Sequence, residues 1–162
     1  MPFIIRPGTA ADAPAAYQLI CELAQYEKAL EEVALSLEEF VKDGFGSNPP
    51  AYQLRVADEY DDQHQLLGVV GMALFYISYS TWKGRVVYLD DLVVTERHRR
   101  SGIGKLLLQS VMDFARAEQV RQVRWHVLDW NEPAIRFYKK INARLEDNWI
   151  TCKVTDMNTL QS

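Results

Sequence analysis

The sequence predicts a single α/β domain, on three observations. Segments with period-two apolar patterning alternate with segments of helical periodicity along the chain. No internal repeat, low-complexity tract or linker interrupts that order, so residues 1–162 read as one domain. At 162 residues and 48% apolar composition, the chain is long enough to bury one core.

The bulk properties narrow the partners. A formal charge of −4 argues against nucleic acid, which favours a basic face. No apolar run approaches the roughly 18 residues that span a bilayer, and the start MPFIIRPGTAADA lacks the pattern of a signal peptide, so no membrane is expected and the compartment reads as cytoplasmic. Cys21 and Cys152 stand far apart and in no metal-ligand spacing. They read as small core residues in a reducing compartment, and no metal is expected.

Taken in order, Phe3 to Arg6 is a short strand ended by Pro7-Gly8. Thr9 looks like a helix N-cap, with Asp12 three residues on and Pro14 in the first turn. Ala16, Leu19, Ile20, Leu23 and Ala24 follow at helical spacing to about Tyr26. Ser36-Leu37-Glu38-Glu39 is a capping box that opens a second helix, stopped at Gly44 or Gly46. Tyr52 to Ala57 alternates as a strand, and the polar stretch Glu59–Gln65 is a hairpin connection to the long strand Leu66–Ser78. Gly68 and Gly71 within it mark close packing or a bulge. Arg85 to Thr95 is the next strand, and Gly102 to Gln119 is the clearest helix, with Ile103, Leu107, Val111, Phe114 and Ala115 in one stripe. Gln122 to Leu128 reads as a strand. Asn131 caps a helix with Pro133 in its first turn. Two final strands are expected at about Arg144–Glu146 and Trp149–Val154, with a loose tail from Asp156. His64 and His98 are expected to be exposed.

The stretch Val86–Lys105, VVYLDDLVVTERHRRSGIGK, carries the chemistry. It orders strand, basic glycine turn, helix. Free backbone N–H groups and the helix dipole make that junction an anion site, suited to a phosphate-bearing cofactor. A P-loop is excluded, since Arg99 stands where its first glycine belongs and Leu106 follows the lysine. A dinucleotide fingerprint is excluded by Leu107 at its third glycine. Arg99-x-x-Gly102-x-Gly104 remains, with Arg100 and Lys105 adding charge. Upstream, Asp90 and Asp91 interrupt an apolar run. Adjacent residues of a regular strand point to opposite faces, so the pair is expected not to share one solvated face.

The later segment Trp130-Asn131-Glu132-Pro133-Ala134-Ile135-Arg136-Phe137-Tyr138 completes a pattern. Together these parts resemble the GNAT (GCN5-related N-acetyltransferase) superfamily, whose Arg/Gln-x-x-Gly-x-Gly/Ala turn cradles the pyrophosphate of acetyl-CoA. The segments Ile5-Arg6-Pro7-x-Thr9-Ala10-Ala11-Asp12, Glu22-Leu23-Ala24-x-Tyr26-Glu27, Asp43-Gly44-Phe45-Gly46, Tyr88-Leu89-x-Asp91 and Trp130-Asn131-Glu132-Pro133 look like its diamine acetyltransferase branch, which includes spermidine/spermine N1- and thialysine-acetylating enzymes.

The resemblance implies a mixed, mostly antiparallel sheet of six to seven strands with about four helices, and an N-acetyltransferase using acetyl-CoA (coenzyme A) on a small primary amine by direct attack. It implies that Leu92, Val93 and Val94 offer main-chain groups to the cofactor arm. Arg99, Arg100, Ser101, Gly102, Ile103, Gly104 and Lys105 would hold the pyrophosphate, and Asn131 and Ala134 would contact the arm. Tyr138 matches the general acid and binds cofactor. Asp90 stands where the branch has a glutamate that meets the amine, one methylene shorter. Tyr26 and Glu27, with Arg124, Trp125 and His126, match substrate-site positions, although the last three identities depart from the branch. A homodimer is implied. Two other readings stay open: acetylation of a protein lysine or N-terminus, and an acyl-CoA-binding sensor without turnover.

Overall fold

A computed structural model describes residues 2–161. The chain runs β1 (Phe3–Pro7), α1 (Ala13–Tyr26), α2 (Leu37–Phe45), β2 (Gln53–Tyr60), β3 (Leu66–Ser80), β4 (Gly84–Val94), α3 (Ile103–Ala117), β5 (Val123–Arg124) and α4 (Glu132–Lys140). The described residues group into two compact units, one reaching to His126 and one starting at Val127. Among the described residues no helix is long and apolar enough to cross a membrane.

The first unit holds a five-stranded sheet in the order β1-β2-β3-β4-β5. Its first three pairings are antiparallel and the last is parallel. The expected mixed, mostly antiparallel sheet is present, with five strands in place of six to seven.

Each face is covered by helices. On one, Ala13, Ala16 and Leu19 of α1 and Phe40 of α2 pack with Leu54, Val56, Met72, Leu74 and Val93. On the other lies α3. It comes so close to β3 that a Cβ on Gly71 would stand 3.1 Å from the Val93 carbonyl and 3.2 Å from Leu107. Gly71 therefore marks close helix packing. Gly68, with φ +144, sits at the register shift opposite Glu59.

The capping signals hold. Ser36 Oγ accepts the Glu39 amide at 3.1 Å, and Glu39 returns the contact to the Ser36 amide. Thr9 and Asp12 cap a short 3-10 turn, Ala10–Asp12, that leads into α1. Asp12 is also tied to β1 and β2. Arg6 donates two hydrogen bonds to Asp12 at 2.8 Å and one from Nε to Asp58 at 2.6 Å. Asp58 is 1% exposed, so this guanidinium balances a charge that water cannot reach.

Several expectations are corrected. The segments 144–146 and 149–154 are not strands. Their composition suits a strand, but a ladder needs a partner, and among the described residues they pair with none. Arg144 instead pairs with Glu146 at 2.6 Å, while Trp149 and Ile150 are exposed. The strand expected over 122–128 shrinks to two residues, because among the described residues its ladder is limited to Val87 and Tyr88. Cys152 is exposed rather than core, and Cys21 is half-buried. The tail makes a local turn in which Asp156 accepts from the Asn158 amide at 2.9 Å.

Replacing Arg6 by Met should destabilise the fold by about 3 kcal/mol at most, since it strands Asp58 but a third of Arg6 is open to water. Urea unfolding at pH 7 measures this. The Arg6 hydrogen bonds hold Asp12 down at about 2. Its contribution should be complete above about pH 4 and lost as pH falls toward 2, so Asp12→Asn should cost stability at pH 7 and little at pH 2.

Candidate active site

The register of β3 against β4 skips one residue. Leu74 faces Asp91 and Phe75 faces Leu89, which leaves Asp90 as the extra residue of a β-bulge. Directly paired residues share a face. Leu74 belongs to the α1/α2 core, so Asp91 is on that face. Phe75 meets Phe114 of α3, so Leu89 is on the other, and Asp90, next to Leu89, returns to the α1/α2 side. Both aspartates therefore share one face. The expectation that they divide is corrected, because an inserted residue breaks period-two alternation.

Glu27, at the C-terminus of α1, joins them. Burial raises all three carboxyls, and neighbouring charge adds to it at Asp91 and Glu27. Burial, then the charges of Asp90 and Glu27, push Asp91 up to about 7. Burial, then Asp90, raises Glu27. Burial also raises Asp90, which nearby His126 pulls back. Three carboxyls whose protonation is favoured by burial, and at Asp91 and Glu27 also by neighbouring charge, form a site that an ammonium group would relieve.

Aromatic groups continue this face. Tyr76 and Tyr88 are register partners with ring centroids 5.4 Å apart. The Tyr88 hydroxyl hydrogen-bonds to His126 Nδ1. Arg124 pairs with Tyr88 in the parallel ladder, and its charge acts on both tyrosines. Past this point β4 leaves the ladder with β5, so from Leu89 onward that edge has no ladder partner among the described residues. Leu92, Val93 and Val94 lie on this free stretch. Val93 is core, and Leu92 pairs with Ala73.

The glycine turn follows. Arg100 has φ 65 and Gly102 φ 88, both left-handed, which reverses the chain into α3. A Cβ at Gly102 would meet nothing within 4 Å, and one at Gly104 only Val94 at 3.9 Å. The space above the turn is thus open, and Ser101, Gly102, Lys105, Leu106 and Gln109 line a groove of about 320 Å³ there. Amides of the first turn of α3 have no partner within the helix. Ile103 is 1% exposed, so only its main chain could face a ligand. The Ser101 hydroxyl is turned back to the His98 carbonyl.

Two contacts here had no signal in the sequence. Arg99 stacks over the Tyr26 ring at 5.0 Å, joining the turn to the end of α1. Glu59 of β2 accepts from Arg97 at 3.0 Å and lies 3.1 Å from His98 Nε2. His98 also packs edge-on to Phe3, so it is largely buried, against the exposed position expected. The glycine turn is anchored to the sheet behind it.

In the second unit, Asn131 caps α4 by accepting the Ala134 amide at 3.4 Å, with Glu132 and Pro133 in the first turn. Tyr138 lies on the same helix, beside Phe137. The first unit thus brings together Tyr26, Glu27, Asp90, Arg99, Arg124 and His126, while Asn131, Ala134 and Tyr138 share α4.

A bulged, carboxyl-bearing strand leads on a mixed sheet into a glycine turn with open space above it, and the sequence relationships name the family. The chain belongs to the acetyltransferase (GNAT) family, whose model matches residues 14–143. It is 40% identical over 143 residues to a thialysine N-epsilon-acetyltransferase of Bos taurus, covering 87% of this chain and 84% of that one. It is 34% identical over 152 residues to a spermidine/spermine N(1)-acetyltransferase-like protein 1 of Homo sapiens, covering 91% of this chain and 22% of that one. An integron cassette protein from the mobile metagenome of V. cholerae has the same fold, with TM-score 0.75, 21% identity, and coverage of 99% of this chain and 97% of that one.

The raised carboxyl of Asp91 carries a stability signature. The unfolded chain titrates near about 3.9, so folding takes up a proton between there and about 7. Stability should fall as pH rises through that window. Asp91→Asn should remove the loss, raising stability at pH 8 on the order of 3 kcal/mol and changing it little at pH 4. Denaturant midpoints across that range test the sign.

Proposed function

We propose that this chain is a cytoplasmic, homodimeric acetyl-CoA-dependent N-acetyltransferase, acting as one domain over residues 1–162, that acetylates a small primary amine by direct attack. The observation that carries the reading is the gathering of Glu27, Asp90 and Asp91 on one face at the bulge of the strand that leads to the glycine turn. The acceptor class is a diamine, a polyamine or a thialysine-like side chain; the relatives' names carry thialysine and spermidine/spermine.

The residues fit coenzyme A by their own features. The turn offers left-handed Gly102, open space above it, unpaired helix amides and the cations Arg99, Arg100 and Lys105. The free edge of β4 at Leu92–Val94 suits an extended amide-bearing arm, as an added strand does. On α4, Asn131 and Ala134 would meet that arm. Bound acetyl-CoA would supply the activated acyl group.

The protein's task is to present a neutral amine. An alkylamine has a pKa near about 10.4, so at neutral pH roughly one molecule in a thousand is ready to attack. The carboxyl cluster attracts the abundant ammonium form. Asp90 then orients it and takes its proton, directly or through water. Main-chain amides of Leu92–Val94 offer donors to a developing oxyanion. The Tyr138 phenol holds the proton that a departing thiolate takes up and recovers it afterwards. Tyr26, stacked on Arg99, links the end of α1 to the turn.

Thiol release from acetyl-CoA across an amine panel tests the reading. Tyr138→Phe should lower kcat by about 10²-fold or more, and Asp90→Asn should lower kcat/KM by at least about tenfold. Initial-rate patterns should show a ternary complex. A ping-pong pattern or a trapped acetyl-protein would exclude direct transfer, and normal turnover by Tyr138→Phe would remove its assignment as acid.

A further inference from the structure

Tyr26 is the last residue of α1, and its ring lies under Arg99, the first residue of the glycine turn, 5.0 Å from the guanidinium carbon. The backbone is fixed on both sides of this contact. At the end of α1 the Lys28 amide donates to the Gln25 carbonyl at 3.0 Å and the Ala29 amide to the Ala24 carbonyl at 2.9 Å, around a left-handed Lys28 with φ 60. This Schellman closure fixes the helix end that carries Tyr26. Arg99 follows the short 3-10 turn Glu96–His98, in which Arg97 and His98 are held by Glu59. Its own amide donates to the Glu96 carbonyl at 3.2 Å. Its side chain is long and exposed, a type with many rotamers open to it, and the Tyr26 ring is the wall on which it rests.

We propose that Tyr26 is a positioning residue for the cofactor, whose ring holds the Arg99 guanidinium ready to meet the pyrophosphate. The inference rests on the acetyltransfer reading above. It moves Tyr26 from the acceptor side, where the resemblance puts it, to the cofactor side. A guanidinium can stack its face on an aromatic ring while its in-plane N–H groups donate to phosphate oxygens. The stack therefore does not compete with an anion. It removes rotamers before the anion arrives, so less freedom is left to lose on binding. Ordering one such side chain in advance is worth about three- to tenfold in affinity. Glu27, the next residue, belongs to the carboxyl cluster, and its charge acts on Asp91. The end of α1 thus serves both halves of the site, Tyr26 toward the cofactor and Glu27 toward the acceptor.

Isothermal titration with CoA, and with pantetheine, which lacks the pyrophosphate, measures the effect apart from turnover. Thermal melts verify folding. Tyr26→Leu should raise the Kd for CoA about three- to tenfold and leave the Kd for pantetheine unchanged. Tyr26→Phe keeps the ring and should bind CoA within about twofold of the wild type. In an Arg99→Gln background Tyr26→Leu should add nothing, because the residue it acts through is gone. In steady-state assays Tyr26→Leu should raise KM for acetyl-CoA and leave KM for the amine unchanged. An unchanged CoA Kd in Tyr26→Leu overturns the inference, as does an equal loss for pantetheine or an undiminished effect without Arg99. A rise confined to the amine KM also overturns it and returns Tyr26 to the acceptor side. If Tyr26→Leu does not fold, Tyr26→Gln takes its place, and full CoA affinity in Arg99→Gln alone overturns the inference whatever any Tyr26 variant does. Failure of the wild type to bind CoA overturns the acetyltransfer reading and this inference with it, whereas CoA binding that is indifferent to Tyr26 overturns this inference alone.

Discussion

The one-residue bulge at Asp90 is the constraint on which the site depends. A regular β4 would send one of two adjacent aspartates into the contact between the sheet and α3, where Leu89, Phe75 and Phe114 pack. Burying an unpaired carboxylate there would be costly. The inserted residue avoids that cost by turning both groups to the α1/α2 face, where Glu27 also arrives. The result is a local concentration of acid that the fold tolerates only by raising the affinity of these groups for protons. A bulge also bends its strand and adds twist. Here β4 parts from β5 immediately beyond Tyr88, leaving its edge free over the same residues that carry the carboxyls. Acid cluster and open edge thus lie on the same stretch of β4.

Behind this face the sheet is held by interactions that do not enter the chemistry. Arg6 bridges Asp12 and Asp58, fixing the start of α1 to the first two strands. Glu59, further along β2, holds the segment Arg97–His98 that precedes the glycine turn. The turn is strained in its own right, with Arg100 in a left-handed conformation that costs a non-glycine residue roughly 1 kcal/mol. It keeps that shape because both sides are anchored, through Glu59 on one and the packing of Ile103 and Leu107 on Gly71 on the other. A ligand arriving at the groove meets amides already in place rather than a loop it must order.

What could be read from the sequence divides by the range of the interactions involved. Caps and helices are local: Ser36 with Glu39, Asn131 before Pro133, and the stripe of α3 are visible as spacing, and the structure has them. The glycine turn was legible for the same reason. The bulge was not, because period-two alternation assumes that no residue is inserted, and the insertion is defined only by the register of β3, more than a dozen residues away. The final strands failed on the same ground: Trp149 to Val154 has strand composition, but composition does not supply a neighbour. His98 stands in a basic turn that reads as exposed, and Phe3 and Glu59, remote in sequence, pack on it.

The missing methylene at Asp90 bears on how far the resemblance to the diamine branch can be carried. A glutamate reaches further from a given backbone, but it has one more torsion to fix before it can hold a proton acceptor in position. An aspartate at a bulge trades reach for order, since the protruding backbone itself carries the carboxyl outward and χ1 decides most of its direction. The surrounding charges add a second effect. Burial, then neighbouring carboxylate charge, raises both Asp91 and Glu27, whereas burial alone raises Asp90 and His126 pulls it back. The geometry that the shortened side chain requires is an acceptor amine held close to the strand.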